Sequence, residues 1–343
     1  MDLWCVIQLI RHTRNLTFME IKELSRVMSL SSPTSAKKQK RLAVILAGGD
    51  GSRLRSLTRS IAGDDRPKQF CSIMGERTLL DATRDRVGLG IARENTYFSL
   101  TSKHEQYYKA ALWDTRPSQR IVQPENKGTA PAILYSLMRL AAVEPDGVVA
   151  FFPSDHYFAN DDAFMRNVES AFKAVEVAPS AVLLLGIEPD KPETAYGWIE
   201  PAGSLFGGEP NSISRVNRFW EKPSSVAAKK LMASGSLWNS FVMVGRIDAF
   251  LKMIARQLPD MFRMFNSSRN MLGTSHETAL IRSIYSWLEE TNFSSEVLEK
   301  AAEDLMVIRV GNVGWCDWGE PQRVLGTLSN LGIRPAWAQA FAS

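Results

Sequence analysis

The chain has 343 residues, 45% hydrophobic and 23% charged, with a net charge of +4, which suits one large α/β domain or two small ones. The positive excess is mild, and no basic run exceeds "AKKQKR", so the dense basic face of a duplex-binding protein is not expected and an anionic small molecule fits the charge as well. Cys5, Cys71 and Cys316 form no CxxC pair and the four histidines show no metal-ligand spacing, so neither a disulfide framework nor a zinc site is indicated, and a reducing cytoplasm is the expected location.

In chain order, residues 1–40 read as an extension and linker. The apolar stretch over 3–10 is far shorter than the roughly 20 residues of a membrane span. Its basic residues follow it, the wrong polarity for a secretory signal. No membrane association is expected, and "SSPTSAKKQKR" at 31–41 has linker composition. From residue 42 apolar runs alternate with helical patterns. The strand candidates are "LAVILA", "TYFSLT", "VVAFFPSD", "AVLLLGI" and "LMVIRV". Helical patterns run over 78–90, 104–113, 128–143, 161–176, 226–233, 247–257 and 277–289. Strands apolar throughout predict a sheet covered on both faces, and their alternation with helices predicts βαβ units. "AYGWIEP" and "ISRVNRFWEKP" flank a polar Gly/Pro region at 200–212 and are expected to pair as an antiparallel hairpin. The expected fold is α/β: a Rossmann-like mixed, mostly parallel sheet flanked by helices over 41–330, with a tail at 331–343.

The first strand runs straight into Gly48, Gly49 and Gly51, then Arg53. In an open α/β sheet, ligands sit at the carboxyl ends of the strands. Glycines there let backbone amides approach a phosphate, and a helix start favours anions. Arg53 adds a planar positive fork. The spacing fits neither a Walker loop, which needs Lys after its second glycine, nor the dinucleotide fingerprint, since Leu54 stands where a third glycine belongs. "RPKQF" follows, with Lys68 on a segment stiffened by Pro67. A tight turn and a solvated lysine are the bland alternatives.

A buried strand ends on Ser154, Asp155 and His156, placing an acid in the same crevice. Magnesium takes one or two carboxylates plus phosphate oxygens. Asp155 is the first candidate ligand. Asp317, in "VGWCDWGEP" between two tryptophans, is the second. Helix-capping for Asp155 and a turn role for Asp317 are the alternatives. His156 reads as structural.

"LAGGDGSRL", "RPKQF", "ENKGTAPAI", "FPSDHYF", "TAYGWIE", "VNRFWEKP", "LWNS" and "VGWCDWG" stand in the order seen in sugar-1-phosphate nucleotidyltransferases. Over 41–325 the chain most resembles the bacterial mannose-1-phosphate guanylyltransferases. The resemblance implies the nucleotide-diphospho-sugar transferase fold, GTP and mannose 1-phosphate as substrates, Mg2+ as cofactor and a homodimer as one assembly. It implies that Leu46, Ala47, Gly48, Gly49, Gly51, Ser52 and Arg53 hold the nucleotide phosphates, with Ser154 beside them. Lys68 would meet the reacting phosphates, with Arg53, Lys68 and Asp155 carrying the catalysis. Glu125, Thr129 and Ala130 would border the base, and Asp155 and Asp317 would hold the metal. Gly197, Glu221, Lys222 and Asn239 would receive the sugar. Two departures stand out: Phe241 follows "WNS" where the family usually has glycine, and Ser294 and Ser295 replace a usual Asp-Tyr pair, although Glu299 and Lys300 remain. Another sugar phosphate or nucleotide, or a non-catalytic homologue that binds nucleotide sugar, are the competing expectations.

Overall fold

Leu42, Ala43, Val44 and Ile45 are four consecutive side chains with no exposed surface, and they form the centre of β1 (Arg41–Leu46). Leu42 and Val44 enter one hydrophobic core, while Ala43 and Ile45 enter another on the opposite face. An apolar run of this kind is stable as a strand only where helices cover both faces. The computed structural model describes residues 39–203 and 212–341. The expected extension over 1–40 therefore lies almost wholly outside the described residues, as does most of the 200–212 turn region.

After β1 come α1 (Arg55–Ala62), α2 (Leu79–Gly88), β2 (Thr96–Thr101), α3 (Glu105–Ala111), β3 (Arg120–Gln123), α4 (Thr129–Val143), β4 (Val148–Pro153) and α5 (Asp161–Val177). The second half holds β5 (Val182–Ile187), β6 (Gly197–Pro201), β7 (Ile213–Glu221), α6 (Ser225–Ala233), β8 (Leu237–Arg246), α7 (Ile247–Gln257), α8 (Pro259–Asn266), α9 (Glu277–Tyr285), β9 (Leu305–Val310) and α10 (Pro321–Asn330). Caps set several helix starts. Thr78 accepts the Asp81 N–H and Asp81 returns a bond to the Thr78 N–H, while Asn160 and Ser224 cap α5 and α6. No helix among the described residues is long and apolar enough to cross a membrane.

One nine-stranded sheet has the order β3-β2-β1-β4-β8-β5-β9-β7-β6. The expected parallel arrangement holds for β3-β2-β1-β4 and for β5 with β9. β8 runs antiparallel between β4 and β5, and β7 runs antiparallel to β9, so the sheet as a whole is mixed. The expected hairpin is present, with Gly197 opposite Glu221. From β1 the chain moves outward to β2 and β3 and then returns to β4 on the other side of β1. A crevice opens at the carboxyl ends of β1 and β4, where that order reverses.

β8 is irregular where it faces this crevice. Its register with β5 shifts between the Leu184–Met243 and Gly186–Asn239 pairs. The backbone groups displaced from the ladder are taken up locally. Asn239 Oδ1 accepts the Phe241 N–H at 3.0 Å, Ser240 Oγ accepts the Val242 N–H at 3.2 Å, and the Ser240 hydroxyl donates to Leu185 O at 2.6 Å. Asn239 and Ser240 thus satisfy a bulge inside a buried strand, where unpaired amides would be costly.

Candidate active site

The loop after β1 is held from outside. The Gln69 amide donates to Ala47 O at 3.1 Å and to Gly49 O at 2.9 Å, and the Thr101 hydroxyl donates to Gly48 O at 2.8 Å. Asp50 is tied to His104 and to Asn126, each at 3.1 Å. With its carbonyls pulled back, the loop leaves the N–H groups of residues 48–51 without protein partners among the described residues. Two glycines are required sterically. A Cβ on Gly48 would lie 2.9 Å from Thr101 Oγ1, and Gly51 has φ 59° with Lys68 N 3.2 Å from its would-be Cβ. Gly49 faces open space. Ser52 and Arg53 are exposed, and Arg53 makes no ion pair among the described residues.

A cavity of about 530 Å3 lies against this loop. Thr129, Ser154, Asp155, Phe241, Glu290 and Asn292 line it together with Leu46 and the three glycines. Its far wall is fixed to the start of α4. Thr129 Oγ1 accepts the Phe293 N–H at 2.8 Å, and the Ala130 N–H donates to Thr291 O at 3.0 Å. Gly128 has φ 86° and a Cβ there would stand 2.4 Å from Thr291 O, so only glycine permits this approach. Of the residues expected around a base, Thr129 lines the cavity, whereas Ala130 is buried beneath it and Glu125 lies outside it, 3.7 Å from Lys127.

Beside the cavity, charges pair with one another. Lys68 is 7% exposed, and its ammonium donates to the main-chain carbonyls of Asp317 at 2.6 Å and Trp318 at 2.9 Å. It also lies 3.3 Å from Asp155 Oδ2. Lys68 therefore joins the two segments that carry the expected metal ligands. A two-residue β-bridge between Tyr157 and Cys316 holds the same segments together. His156 Nδ1 accepts the Trp315 indole N–H at 3.2 Å, so its proton sits on Nε2, 3.9 Å from Asp155 Oδ1. Burial pulls the His156 pKa down to about 4 and keeps the ring neutral.

The Asp317 carboxylate turns to a different set of groups. Its Oδ1 accepts from Tyr196 OH at 2.9 Å, Gly319 N–H at 2.9 Å and Arg323 at 2.8 Å. Burial opposes its charge, yet His156, the Arg323 guanidinium and the Gly319 N–H together hold its pKa below the usual carboxylate range. Arg323 also lies 3.1 Å from Glu193 and stacks over the Tyr196 ring. No hydrogen bond reaches Asp317 Oδ2 among the described residues. The donors near Lys68 are all oxygens, which suits a hard divalent cation. Asp155 fits that role with both carboxylate oxygens, and Asp317 fits it through Oδ2. No group of three or more His, Cys, Asp or Glu gathers among the described residues, so a cation here would complete its shell with phosphate oxygens or water.

The expected sugar residues form a group next to this cluster. Gly197 pairs with Glu221, and a Cβ on Gly197 would meet the Phe219 ring at 2.8 Å and Glu221 Oε2 at 3.2 Å. Burial raises the Glu221 pKa against the opposing charge of Lys222, and Ser294 donates a hydrogen bond to it. Asn239 is buried, with Oδ1 spent on the bulge and no bond from Nδ2 among the described residues. Neither Glu221 nor Asn239 lines the glycine-loop cavity. Among the described residues, four non-glycine residues have positive φ, and three of them, Lys222, Phe241 and Trp318, lie in or directly beside these motifs. Such strain collects at functional sites. Sequence reasoning missed Gln69, Asn292 and Arg323. Only Gln69, inside "RPKQF", carried a signal that pointed to the site.

The nucleotidyl transferase family profile matches residues 42–329. A putative mannose-1-phosphate guanylyltransferase of Vibrio cholerae is 31% identical over 289 residues, covering 81% of this chain and 58% of that protein. The mannose-1-phosphate guanylyltransferase of Escherichia coli is 30% identical, covering 80% of this chain and 57% of its own. This chain therefore spans rather more than half the length of the curated relatives it matches. Among solved structures, one named as a mannose-1-phosphate geranyltransferase of Thermus thermophilus superposes with a TM-score of 0.70 at 28% identity, covering 82% of this chain and 77% of that one.

Proposed function

The chain belongs to the nucleotidyl transferase family, and from that premise we propose that it transfers the guanylyl group of GTP to mannose 1-phosphate, giving GDP-mannose and pyrophosphate. An oxygen of the sugar phosphate attacks the α-phosphorus of GTP. A P–O bond forms there as the bond to the β-phosphate oxygen breaks, and pyrophosphate leaves in line. A phosphate dianion is already a nucleophile, so no protein base is needed. The site's task is to gather mutually repelling anions in the right alignment, and positioning and charge stabilisation carry the rate.

The unpaired amides of residues 48–51 and the free Arg53 receive the triphosphate. Lys68 brings its charge to the α-phosphate while keeping the Asp155 and Asp317 segments at one crevice. Members of this family use a divalent metal. Asp155 and Asp317 Oδ2 would hold that ion, as magnesium, and its charge would screen the phosphates. Neutral His156, held by the Trp315 indole, stands beside Asp155 and adds no charge to the site. The base lies against Thr129 and Asn292, and the sugar lies by Gly197, Glu221, Lys222 and Asn239. Both substrates are cytoplasmic metabolites, and the enzyme works there, with a homodimer as its assembly.

The observation that carries this reading is Lys68, whose ammonium touches both acidic segments within reach of an amide-lined loop. The test is pyrophosphate release across GTP, ATP, UTP and TTP with mannose, glucose and N-acetylglucosamine 1-phosphates. GTP with mannose 1-phosphate should give the highest kcat/KM, and EDTA should abolish turnover. Faster turnover of UTP or TTP with glucose 1-phosphate would overturn the substrate assignment.

A further inference from the structure

Phe241 occupies the bulge of β8 with φ 60°. That left-handed backbone favours glycine, and for a bulky side chain it is a genuine outlier. Such a conformation persists only where its surroundings over-determine it. Here the Asn239 Oδ1 and Ser240 Oγ acceptors fix the amides of residues 241 and 242. The ring is half-buried. It packs against the core cluster that includes Tyr285 and Phe293, and it lines the same cavity as Thr129, Asp155 and Asn292. Asn239 stands two residues earlier on the same strand, where Trp198 pairs with Trp238 and Gly197 follows next in register. Phe241 thus stands between the glycine-loop cavity and the Gly197–Glu221–Asn239 group. Glycine would fit this backbone without strain and is what the resembled family usually has there, yet this chain keeps a ring.

We propose that Phe241 is a specificity-determining residue, which admits an unsubstituted hexose 1-phosphate and rejects one carrying an acetamido group. The proposal rests on the nucleotidyl-transfer reading given above. The ring fills space that a larger acceptor needs. It also offers no hydrogen-bond partner, so an amide turned toward it would lose its water without replacement. The C–H face of a plain pyranose loses nothing against the same ring.

The test compares the wild-type chain with F241G at saturating GTP. The acceptors are mannose 1-phosphate and N-acetylmannosamine 1-phosphate, which differ only in the group at C2. F241G should shrink the kcat/KM ratio between them by at least about 10-fold, the size of a pocket-volume effect. An unchanged ratio in a variant that still melts cooperatively would overturn the proposal, as would an effect confined to GTP. F241A removes the ring but keeps a Cβ at φ 60°, so it should melt below F241G; an equal or higher melting temperature would remove the strain premise. If the wild-type chain releases pyrophosphate from no pair, the reaction assignment fails and Phe241 is judged by calorimetry instead. In that case the affinity ratio of the two sugar phosphates must change between wild type and F241G, and an unchanged ratio overturns the proposal.

Discussion

The loop at 48–51 and the cluster around Lys68 border the same crevice and are built in opposite ways. In the loop the carbonyls are tied back by Gln69 and Thr101, and the amides are left unpaired. In the cluster almost every charge already has a partner. Lys68 holds Asp155 and two carbonyls, and Arg323 holds Asp317 and Glu193. The first region is preorganised and costs little to use, because its hydrogen-bonding capacity is already exposed. The second is stable as it stands and must exchange partners when phosphates and a cation enter. Binding affinity should therefore reside mainly in the loop, and control of the reacting phosphate in the cluster.

Asp155→Asn should have the largest effect, lowering turnover on the order of 10³-fold or more while the thermal melt stays close to wild type. Near-normal activity at saturating magnesium would remove Asp155 from the cluster's role altogether. Lys68→Ala and Arg53→Ala then separate the two regions. K68A should lose about 10²- to 10³-fold in kcat and also about 1–3 kcal/mol of stability, because it strands buried carbonyls and Asp155. R53A, which breaks no ion pair among the described residues, should lower kcat/KM yet leave stability within about 0.5 kcal/mol. If both variants melt alike, the distinction between a self-paired cluster and an open loop is lost.

A smaller effect compares two neighbouring glycines. Gly48→Ala puts a Cβ against Thr101 and Gln123 and should cost about 1–3 kcal/mol in the melt. Gly49→Ala faces open space, so it should spare stability and raise the KM for GTP by about 10-fold through the intruding methyl group. The smallest expected change sharpens the cluster. Arg323→Gln takes the competing positive charge away from Asp317, and magnesium should then raise the melting temperature by more than it does in wild type, by an amount equivalent to a few-fold gain in affinity. Equal magnesium shifts in the two proteins would show that Arg323 does not compete for the carboxylate.

The strands around the crevice were legible because they are apolar along their whole length. β1 and β4 needed no context beyond Leu42–Ile45 and Val148–Phe152. β8 was not legible as a strand, since Asn239 and Ser240 interrupt it with polar side chains whose purpose, satisfying a bulge, exists only once β5 lies alongside. α8 and α10 begin at Pro259 and Pro321, which mark starts only when the preceding chain is known to have ended. For the site, the glycines, Asp155 and Lys68 could be read from spacing and chemistry. The pairing of Asp317 with Arg323 could not, because it depends on how α10 meets Tyr196 and Glu193. Likewise, the placement of Glu125 outside the cavity reflects the approach of the 290–293 segment to α4, a contact no local pattern encodes.

The bulge in β8 ties the heredity of this site to the counting of residues. Between the Leu184–Met243 and Gly186–Asn239 pairs β5 advances two residues while β8 advances four, so losing Phe241 alone would leave one extra residue in the bulge and turn every residue from Leu237 to Ser240 over. Leu237 would leave one core for the other, Trp238 would leave its ring contacts with Tyr196 and Trp315, and Asn239 would rotate away from its present place. A one-codon deletion here thus does more than shorten the wall of a pocket, because it reassigns four neighbours at once. Evolution can exchange the side chain at position 241 within what a φ of 60° tolerates, but it can remove that position alone only by rebuilding both faces of the sheet.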